Sequence, residues 1–414
     1  MNLPVSTPFT VNGRSYHPPP RPVVVICLDG SADEYLNAAQ VRGCMPNLQR
    51  MIVRGHRGVA RGAMPSFTNV NNASLVTGVP PSVHGISGNF FYDAATDQEV
   101  MMNSATYLRT GTIPAGAAAA GRKVAVVTAK EKLRDILSHR LQGIAFSSEK
   151  ANQAEIKTHG IRDVEKLVGH PAPPIYSAEA SLYVLWAGVA LLKNELADFL
   201  YLSTTDFIQH KYAPEAREAL DFYAGIDREL GRLLELGATV GITADHGMNA
   251  KQKPNGEPNV IYLESLLVEK FGKGFRVILP ITDPYVVHHG ALGSFAVVYL
   301  PGSTRVDLIR AWLMDLPGIT EVYDRPTAAR KLELPADRLG DLVVLSARDV
   351  VIGRTPEHHD LKLLTGGLRS HGGHYEEMVP FIISEPLKLE YVSKANGDPR
   401  NFDIFDFVLN GANP

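Results

Sequence analysis

Asp206-x-x-x-His210 is the clearest pair of chemistry-bearing residues in the chain. A four-residue spacing at the start of a helix sets both side chains on one face, one turn apart. A carboxylate and an imidazole together suit zinc-like ions. In isolation the pair reads more simply as an N-cap aspartate followed by a surface histidine. Asp245-His246 is a second signal: at a strand end the chain turns, so both neighbours can reach one ligand, although alone they read as a capping Asp and a hydrogen-bonded His. His371 in His371-Gly-Gly-His374 is a third, its glycines allowing close backbone approach. Asp29 completes a set of three aspartates at three separate strand ends. Carboxylates crowded into one pocket repel and need cations. Two divalent ions are the economical answer, because three Asp and three His make two three-ligand sites with room for a nucleophile, water or substrate oxygen. A nitrogen- and oxygen-only set suits Zn²⁺ best, with Mn²⁺ or Fe²⁺ as substitutes.

A nucleophile is expected in the polar stretch Met64–Gly78, read as a loop entering a helix at about Asn69. Thr68 then lies at or near an N-cap, where backbone N–H groups and the helix dipole face an anion. Capping alone is the ordinary job of a threonine there. A hydroxyl held by a divalent ion is instead acidified and can attack phosphorus or sulfur. Asn89, in His84-Gly-Ile-Ser-Gly-Asn89, offers an amide to a non-bridging oxygen, or serves only as a turn residue. Lys130 and Lys132 follow a strand end, so at least one can face the site; Lys132 fits equally well as a solvated charge on a helix's first turn. Lys123 precedes its strand, on the wrong edge. Arg276, Tyr285, His288 and His289 could help enclose a substrate, whereas His358 and His359 are expected at the surface.

The elements that must position these residues share one pattern. Val23–Leu28 is a continuous β-branched run ending in Asp29-Gly30. Lys123–Thr128, Phe199–Ser203 and Thr239–Thr243 repeat it, each after a helical stretch (Ala-rich Ala115–Ala120, Ala178–Asn194, Glu215–Leu236) and each leading into Lys130, Asp206 or Asp245. Runs of this kind are strands buried on both faces, and their alternation with helices predicts an α/β fold on a mostly parallel central sheet flanked by helices. Ligands of such sheets bind beyond the carboxyl ends of the strands. After Met248 the pattern changes, with strand-like runs at Arg276–Leu279, Phe295–Leu300 and Leu342–Leu345 and a helix near Val306–Met314. Residues 255–365 are read as an inserted α+β cap subdomain, with 1–254 and 366–414 forming the metal-binding core, re-entered through His371 and Val379–Ile383.

The 414 residues are 45% hydrophobic and 21% charged, with a net charge of −3, which excludes a disordered or fibrous chain and argues against nucleic acid as a partner. Two cysteines, Cys27 and Cys44, make no disulfide framework and point to a reducing compartment. The longest apolar stretch, Ser181–Leu192, is too short for the ~20 residues of a membrane span. No secretory leader is legible. A cytoplasmic protein with no membrane partner is expected, with a homodimer left open.

Thr68 in Pro-Ser-Phe-Thr-Asn, His84-Gly-Ile-Ser-Gly-Asn89, Asp206-x-x-x-His210, Asp245-His-Gly-Met248 and His371-Gly occur in that order. Together they resemble the alkaline phosphatase superfamily, and within it the nucleotide pyrophosphatase/phosphodiesterase branch. Met64–Gly78 and the Lys130/Lys132 pair are similar to the phosphonoacetate hydrolases, which cleave a carbon–phosphorus bond. The resemblance implies two zinc ions, one among Asp29, Thr68, Asp245 and His246, the other among Asp206, His210 and His371, preferred over His374 because it directly precedes glycine. It implies that Thr68 attacks a small-molecule phosphonate to form a phosphothreonine, that Asn89 binds the phosphonate oxygens, and that Lys130, with Lys132, binds the carboxylate. Expelling a carbanion is demanding, and in phosphonoacetate the charge can spread onto the carboxylate as an enediolate, which a nearby cation stabilises. The rivals are a diester hydrolase of the nucleotide pyrophosphatase/phosphodiesterase type, which would want an aromatic slot from Phe67, Phe90, Phe91 or Tyr92; a phosphomutase of the same superfamily; and, from another class, a non-catalytic metal- or phosphonate-binding protein.

Overall fold

The computed structural model describes residues 7–281, 292–302, 305–364 and 366–413. Tyr285, His288 and His289 lie outside the described residues. Seven strands build the main sheet: β1 (Val23–Cys27), β2 (His56–Arg61), β3 (Val124–Thr128), β4 (Ile144–Ser147), β5 (Phe199–Ser203), β6 (Thr239–Thr243) and β7 (Met378–Ile383). Their spatial order is β2-β7-β6-β1-β5-β3-β4. The five strands from β6 to β4 pair in parallel, while β7 is antiparallel to both β6 and β2. The fold is thus the mostly parallel α/β arrangement that the apolar runs predict.

Every residue of β1, β3, β5 and β6 is buried. Side chains alternate across a strand, so Val24 and Ile26 join one apolar cluster with Tyr183, Phe222 and Leu230, from the helices Ala178–Lys193 and Arg217–Glu235. Val23, Val25 and Cys27 join another with Leu75, Val76 and Ile113, from the helices Thr68–Thr77 and Ile113–Ala119. Two covered faces explain why these strands are apolar throughout. Register then sets the rim. Cys27 pairs with both Thr243 and Ser203, Ser203 with Thr128, and Thr128 with Ser147. Asp29, Asp245 and Lys130 each follow two residues beyond this level line and Asp206 three, so all four sit on one edge of the sheet.

Residues 260–353 carry a smaller antiparallel sheet, ordered Arg276–Ile278, Phe295–Tyr299, Leu342–Ser346, Ile319–Asp324. Its apolar cluster includes Val277, Phe295, Leu313 and Val344, and also Met64 and Phe67 from the loop that precedes Thr68. Arg276 lies with its guanidinium 3.8 Å from the centre of the Tyr92 ring and 3.0 Å from Asp97. His358 is exposed as expected, but His359 is buried, its Nε2 accepting the Arg354 N–H at 3.0 Å. A backbone donor left by the turn at residue 354 captures that ring. Among the described residues no helix is long and apolar enough to cross a membrane.

Candidate active site

The chain leaves β1 through Asp29-Gly30. Gly30 has φ of +69°, a conformation side chains rarely adopt, and a Cβ there would lie 2.8 Å from Asp206 Cβ. This close approach brings two strand ends together. Asp206 makes no side-chain cap to the helix Phe207–Lys211. Its Oδ2 instead lies 3.0 Å from His210 Nε2 and 3.8 Å from His371 Nε2, and its Oδ1 accepts from Lys130 Nζ at 2.9 Å. Asp29 Oδ2 accepts from the same ammonium at 3.0 Å. Asp29 Oδ1 is buried without a hydrogen-bond donor among the described residues, 3.4 Å from His246 Nε2. Asp245 Oδ1 accepts from the N–H groups of Gly30 (3.1 Å) and His246 (3.0 Å). His210 is buried with the others.

The three histidines share one polarity. Their Nδ1 atoms lie 2.9, 2.9 and 2.7 Å from the carbonyls of Arg369, Gly247 and Ser66, for His210, His246 and His371 respectively. A carbonyl only accepts, so each Nδ1 carries the proton and each Nε2 lone pair faces the carboxylates. The His246 and His371 rings stack at 3.6 Å between centres. Lone pairs turned toward carboxylates suit a cation shared between them. Two groups could hold one, Asp206 with His210 and His371, and Asp29 with Asp206 and His246, the ligand atoms of each group lying within 4.8 Å of one another. Burial, then Asp206 and Asp245, push the Asp29 carboxyl well up, and burial with Asp206 pushes Asp245 up to about 6. Burial also opposes the charge on Asp206, but Lys130 first, and His210 where its ring is protonated with no ion in place, outweigh it and hold that carboxyl well below the usual range. Burial draws His246 and His371 down, keeping both imidazoles neutral as ligands must be.

Thr68 is the first residue of the helix Thr68–Thr77, one position earlier than expected, with Phe67 at the N-cap and no side-chain cap. Its hydroxyl is therefore not spent on capping. Oγ1 lies 3.3 Å from His246 Nε2. The preceding loop is pinned by Asn71, whose Oδ1 accepts from Ala63 N–H (2.6 Å) and whose Nδ2 donates to Ala63 O (2.9 Å). The glycine after His371 has its reason here: Gly372 has φ of +120°, and a Cβ there would sit 2.4 Å from the Phe67 ring. Asn89 is buried; its carbonyl accepts from Met102 N–H, and the Met102 carbonyl accepts from Asn69 Nδ2, linking it to the turn that carries Thr68. Lys132 is exposed and is not drawn into the group. His374 also lies outside it, bound to Glu377 (3.1 Å) and Glu321 (3.3 Å).

Two buried features were not singled out in the sequence. Asn72 donates through Nδ2 to Asp245 Oδ2 and to Thr68 O, each at 3.1 Å. The available signal was a pair of asparagines, poor helix formers, inside a helix and one turn after Thr68. Lys251 is fully buried, its Nζ donating to Glu376 Oε1 (2.9 Å), Ser294 Oγ (2.7 Å) and Arg348 O (2.7 Å). Glu376 in turn accepts from Asn249 Nδ2 (2.6 Å) and Gly373 N–H (3.1 Å). Nothing local in the sequence marks that pair.

The type I phosphodiesterase / nucleotide pyrophosphatase family matches residues 23–374. Phosphonoacetate hydrolase from Sinorhizobium meliloti 1021, solved with phosphonoformate and with phosphonoacetate, is 47% identical and superposes with a TM-score of 0.94, covering 99% of this chain and 100% of that one. The venom phosphodiesterase of Naja atra is 26% identical over 238 residues; the match takes 55% of this chain but spans only about a quarter (26%) of the relative's length. Murine ectonucleotide pyrophosphatase / phosphodiesterase 5 shares the fold, at 15% identity and a TM-score of 0.61 over 95% of this chain and 96% of that one. The chain belongs to the type I phosphodiesterase / nucleotide pyrophosphatase family.

Proposed function

We propose that the protein hydrolyses phosphonoacetate to acetate and phosphate, using divalent ions held by the buried Asp and His residues. The observation that carries this reading is the likeness to a phosphonoacetate hydrolase over nearly the whole chain, at 47% identity. Asp206, His210 and His371 would hold one ion, and Asp29, Asp245, His246 and the Thr68 hydroxyl the other. Two Zn²⁺ per chain suit these donors best, with Mn²⁺ or Fe²⁺ as substitutes. Bound there, the ions supply charge neutralisation and lower the pKa of a coordinated hydroxyl.

The protein's own residues do the rest. Thr68 Oγ1, its proton given up to solvent, attacks phosphorus in line; the oxygen–phosphorus bond forms as the phosphorus–carbon bond breaks, and the electron pair of the broken bond leaves with the CH₂ carbon. That charge spreads onto the carboxylate as an enediolate, which then takes a proton from solvent to give acetate. Lys130, reaching the rim from beyond β3, binds the carboxylate and stabilises the charge; Lys132, exposed on the first turn of the next helix, would meet the carboxylate only from outside the buried group. Asn89 and the amino end of the Thr68–Thr77 helix bind the phosphonate oxygens. Water then cleaves the phosphothreonine, releasing phosphate and restoring the hydroxyl. Residues 255–365 serve as the cap over this rim, in a cytoplasmic protein to which two unpaired cysteines are suited.

A second reading, diester hydrolysis, is favoured by the family itself and by the venom phosphodiesterases. The rings that might grip a base are already engaged: Phe67 and Phe90 are buried, Phe91 packs edge-on to Tyr107 at 5.8 Å, and Tyr92 lies under Arg276. Phosphate release from phosphonoacetate, run beside nitrophenol release from a nitrophenyl phosphate diester, separates the two. Both are measured on wild type, Thr68→Ala and Lys130→Ala, before and after chelation and zinc return. Zinc-dependent phosphate that both substitutions abolish is the expected result. Diester cleavage that survives Lys130→Ala, without phosphonoacetate turnover, would leave a phosphodiesterase. Tight zinc binding with neither activity would point to a binding protein.

A further inference from the structure

Asn72 is completely buried beneath the rim, and its side chain uses all four of its hydrogen-bonding positions. Nδ2 donates to the Thr68 carbonyl and to Asp245 Oδ2, both at 3.1 Å. Oδ1 accepts from Tyr201 Oη–H at 2.8 Å and Ser203 Oγ–H at 2.9 Å, two same-face residues of β5. The amide has one sensible orientation. A carbonyl and a carboxylate can only accept, so the NH₂ group must face them, and a flipped amide would set oxygen against oxygen on that side.

We infer that Asn72 is a positioning residue for the ion site: it fixes Asp245 Oδ2 against the backbone of Thr68 and ties both to β5, the strand that leads to Asp206. The inference rests on the proposed reading that Asp245 holds an ion. Three donors already surround the Asp245 carboxylate. Gly30 N–H and His246 N–H occupy Oδ1, so Asn72 is the side-chain donor that decides where Oδ2 points. Oδ2 lies 3.7 Å from His246 Nε2, the proton-free nitrogen. A carboxylate so held presents its remaining lone pair in one direction without rotamer loss on binding. Thr68, held through its carbonyl by the same amide, cannot shift relative to that oxygen. Outer donors of this kind are worth about 10- to 100-fold in metal affinity.

The test is zinc affinity by chelator competition on the full chain at fixed pH, with melting of the metal-free protein followed in parallel. Asn72→Ala is expected to weaken one of two zinc ions by about 10- to 100-fold, leaving the ion of Asp206, His210 and His371 near its wild-type affinity. Tyr201→Phe with Ser203→Ala keeps the donors to Asp245 and Thr68 but frees the amide to turn, and is expected to weaken the same ion to a smaller degree. This pair carries the test should Asn72→Ala fail to fold. Unchanged affinity for both ions, with only the melting temperature lowered, would overturn the inference and leave Asn72 a core residue. Equal weakening of both ions would overturn it too. A wild-type protein that takes up no zinc would sink the ion-site reading itself, and this inference with it.

Discussion

Two of the buried polar groups in this fold are built on opposite principles. Lys251 and Glu376 are one cation and one anion, both with fully buried side chains, joined at 2.9 Å and surrounded by further partners from Ser294, Arg348, Asn249 and Gly373. At the sheet rim three carboxylates are buried together, the Lys130 ammonium binds two of them, and three imidazoles turn proton-free nitrogens toward the group. The first group is complete as it stands and belongs to the architecture. The second is short of positive charge, and cations are what would complete it. Burial alone does not distinguish a structural charge from a functional one; the balance of charge around it does.

Breaking the rim should cost activity before stability. Asp206 is assigned to one ion and its carboxylate also lies beside Asp29 and His246 of the other, so Asp206→Asn, or chelation of the wild type, is expected to lower phosphate release by at least about 1,000-fold, matching the several kcal/mol a metal contributes to a transition state. Steady-state kinetics with and without returned zinc would check it. Breaking the other group should do the reverse. Lys251→Met leaves Glu376 buried and unpaired, at a cost of about 3–5 kcal/mol in urea unfolding. Adding Glu376→Gln should recover part of that loss, and zinc should make no difference to it.

A buried group with no acid near it sharpens the contrast. His84 accepts the Ile86 N–H at Nδ1 and therefore donates from Nε2 to Ser74 at 2.8 Å; burial, then Arg338, draw it down to about 3. Its folded value lies below its unfolded one near 6.5, so the unfolded chain binds the extra proton. Stability is then complete above pH 6.5 and falls as pH drops toward 3, by up to about 1.4 kcal/mol per pH unit from this group. Comparing the pH slope of wild type with that of His84→Gln isolates the contribution. The smallest expected effect has the opposite sign. Asp29→Asn removes one of the crowded carboxylates, so the metal-free protein should gain about 1 kcal/mol while zinc uptake falls. Loss of stability in that variant would show that Asp29 is already compensated at the rim.

The legible parts of the fold were those with a local cause. β1, β3, β5 and β6 are buried on both faces and so read as unbroken apolar runs, and the residues just beyond them could be placed on one rim before any contact was known. β2 escaped notice because an edge strand has a side open to water: His56, Arg57 and Arg61 interrupt its pattern. Thr68 shows the limit of cap reasoning. Its type suits an N-cap, yet Phe67 takes that position and the hydroxyl is turned to His246. Asn72 and Lys251 were illegible for a plainer reason. Their partners Asp245 and Glu376 lie 173 and 125 residues away, and no spacing rule reaches across such a distance.

Phe67 links the two sheets in a way that bears on how this scaffold could be altered. Its ring is wholly buried in the apolar cluster of the smaller sheet, edge-on to Phe295 at 6.2 Å and to His371 at 5.6 Å, while its backbone begins the helix whose first residue is Thr68. The neighbour of Thr68, the proposed nucleophile, is thus a core residue of the other layer. A chimaera that exchanged residues 255–365 for those of a relative would import a foreign socket for that ring, and the mismatch would be felt one peptide bond from Thr68. Grafting for new specificity has to carry Met64–Phe67 along with the insert, or redesign Phe295 to receive it.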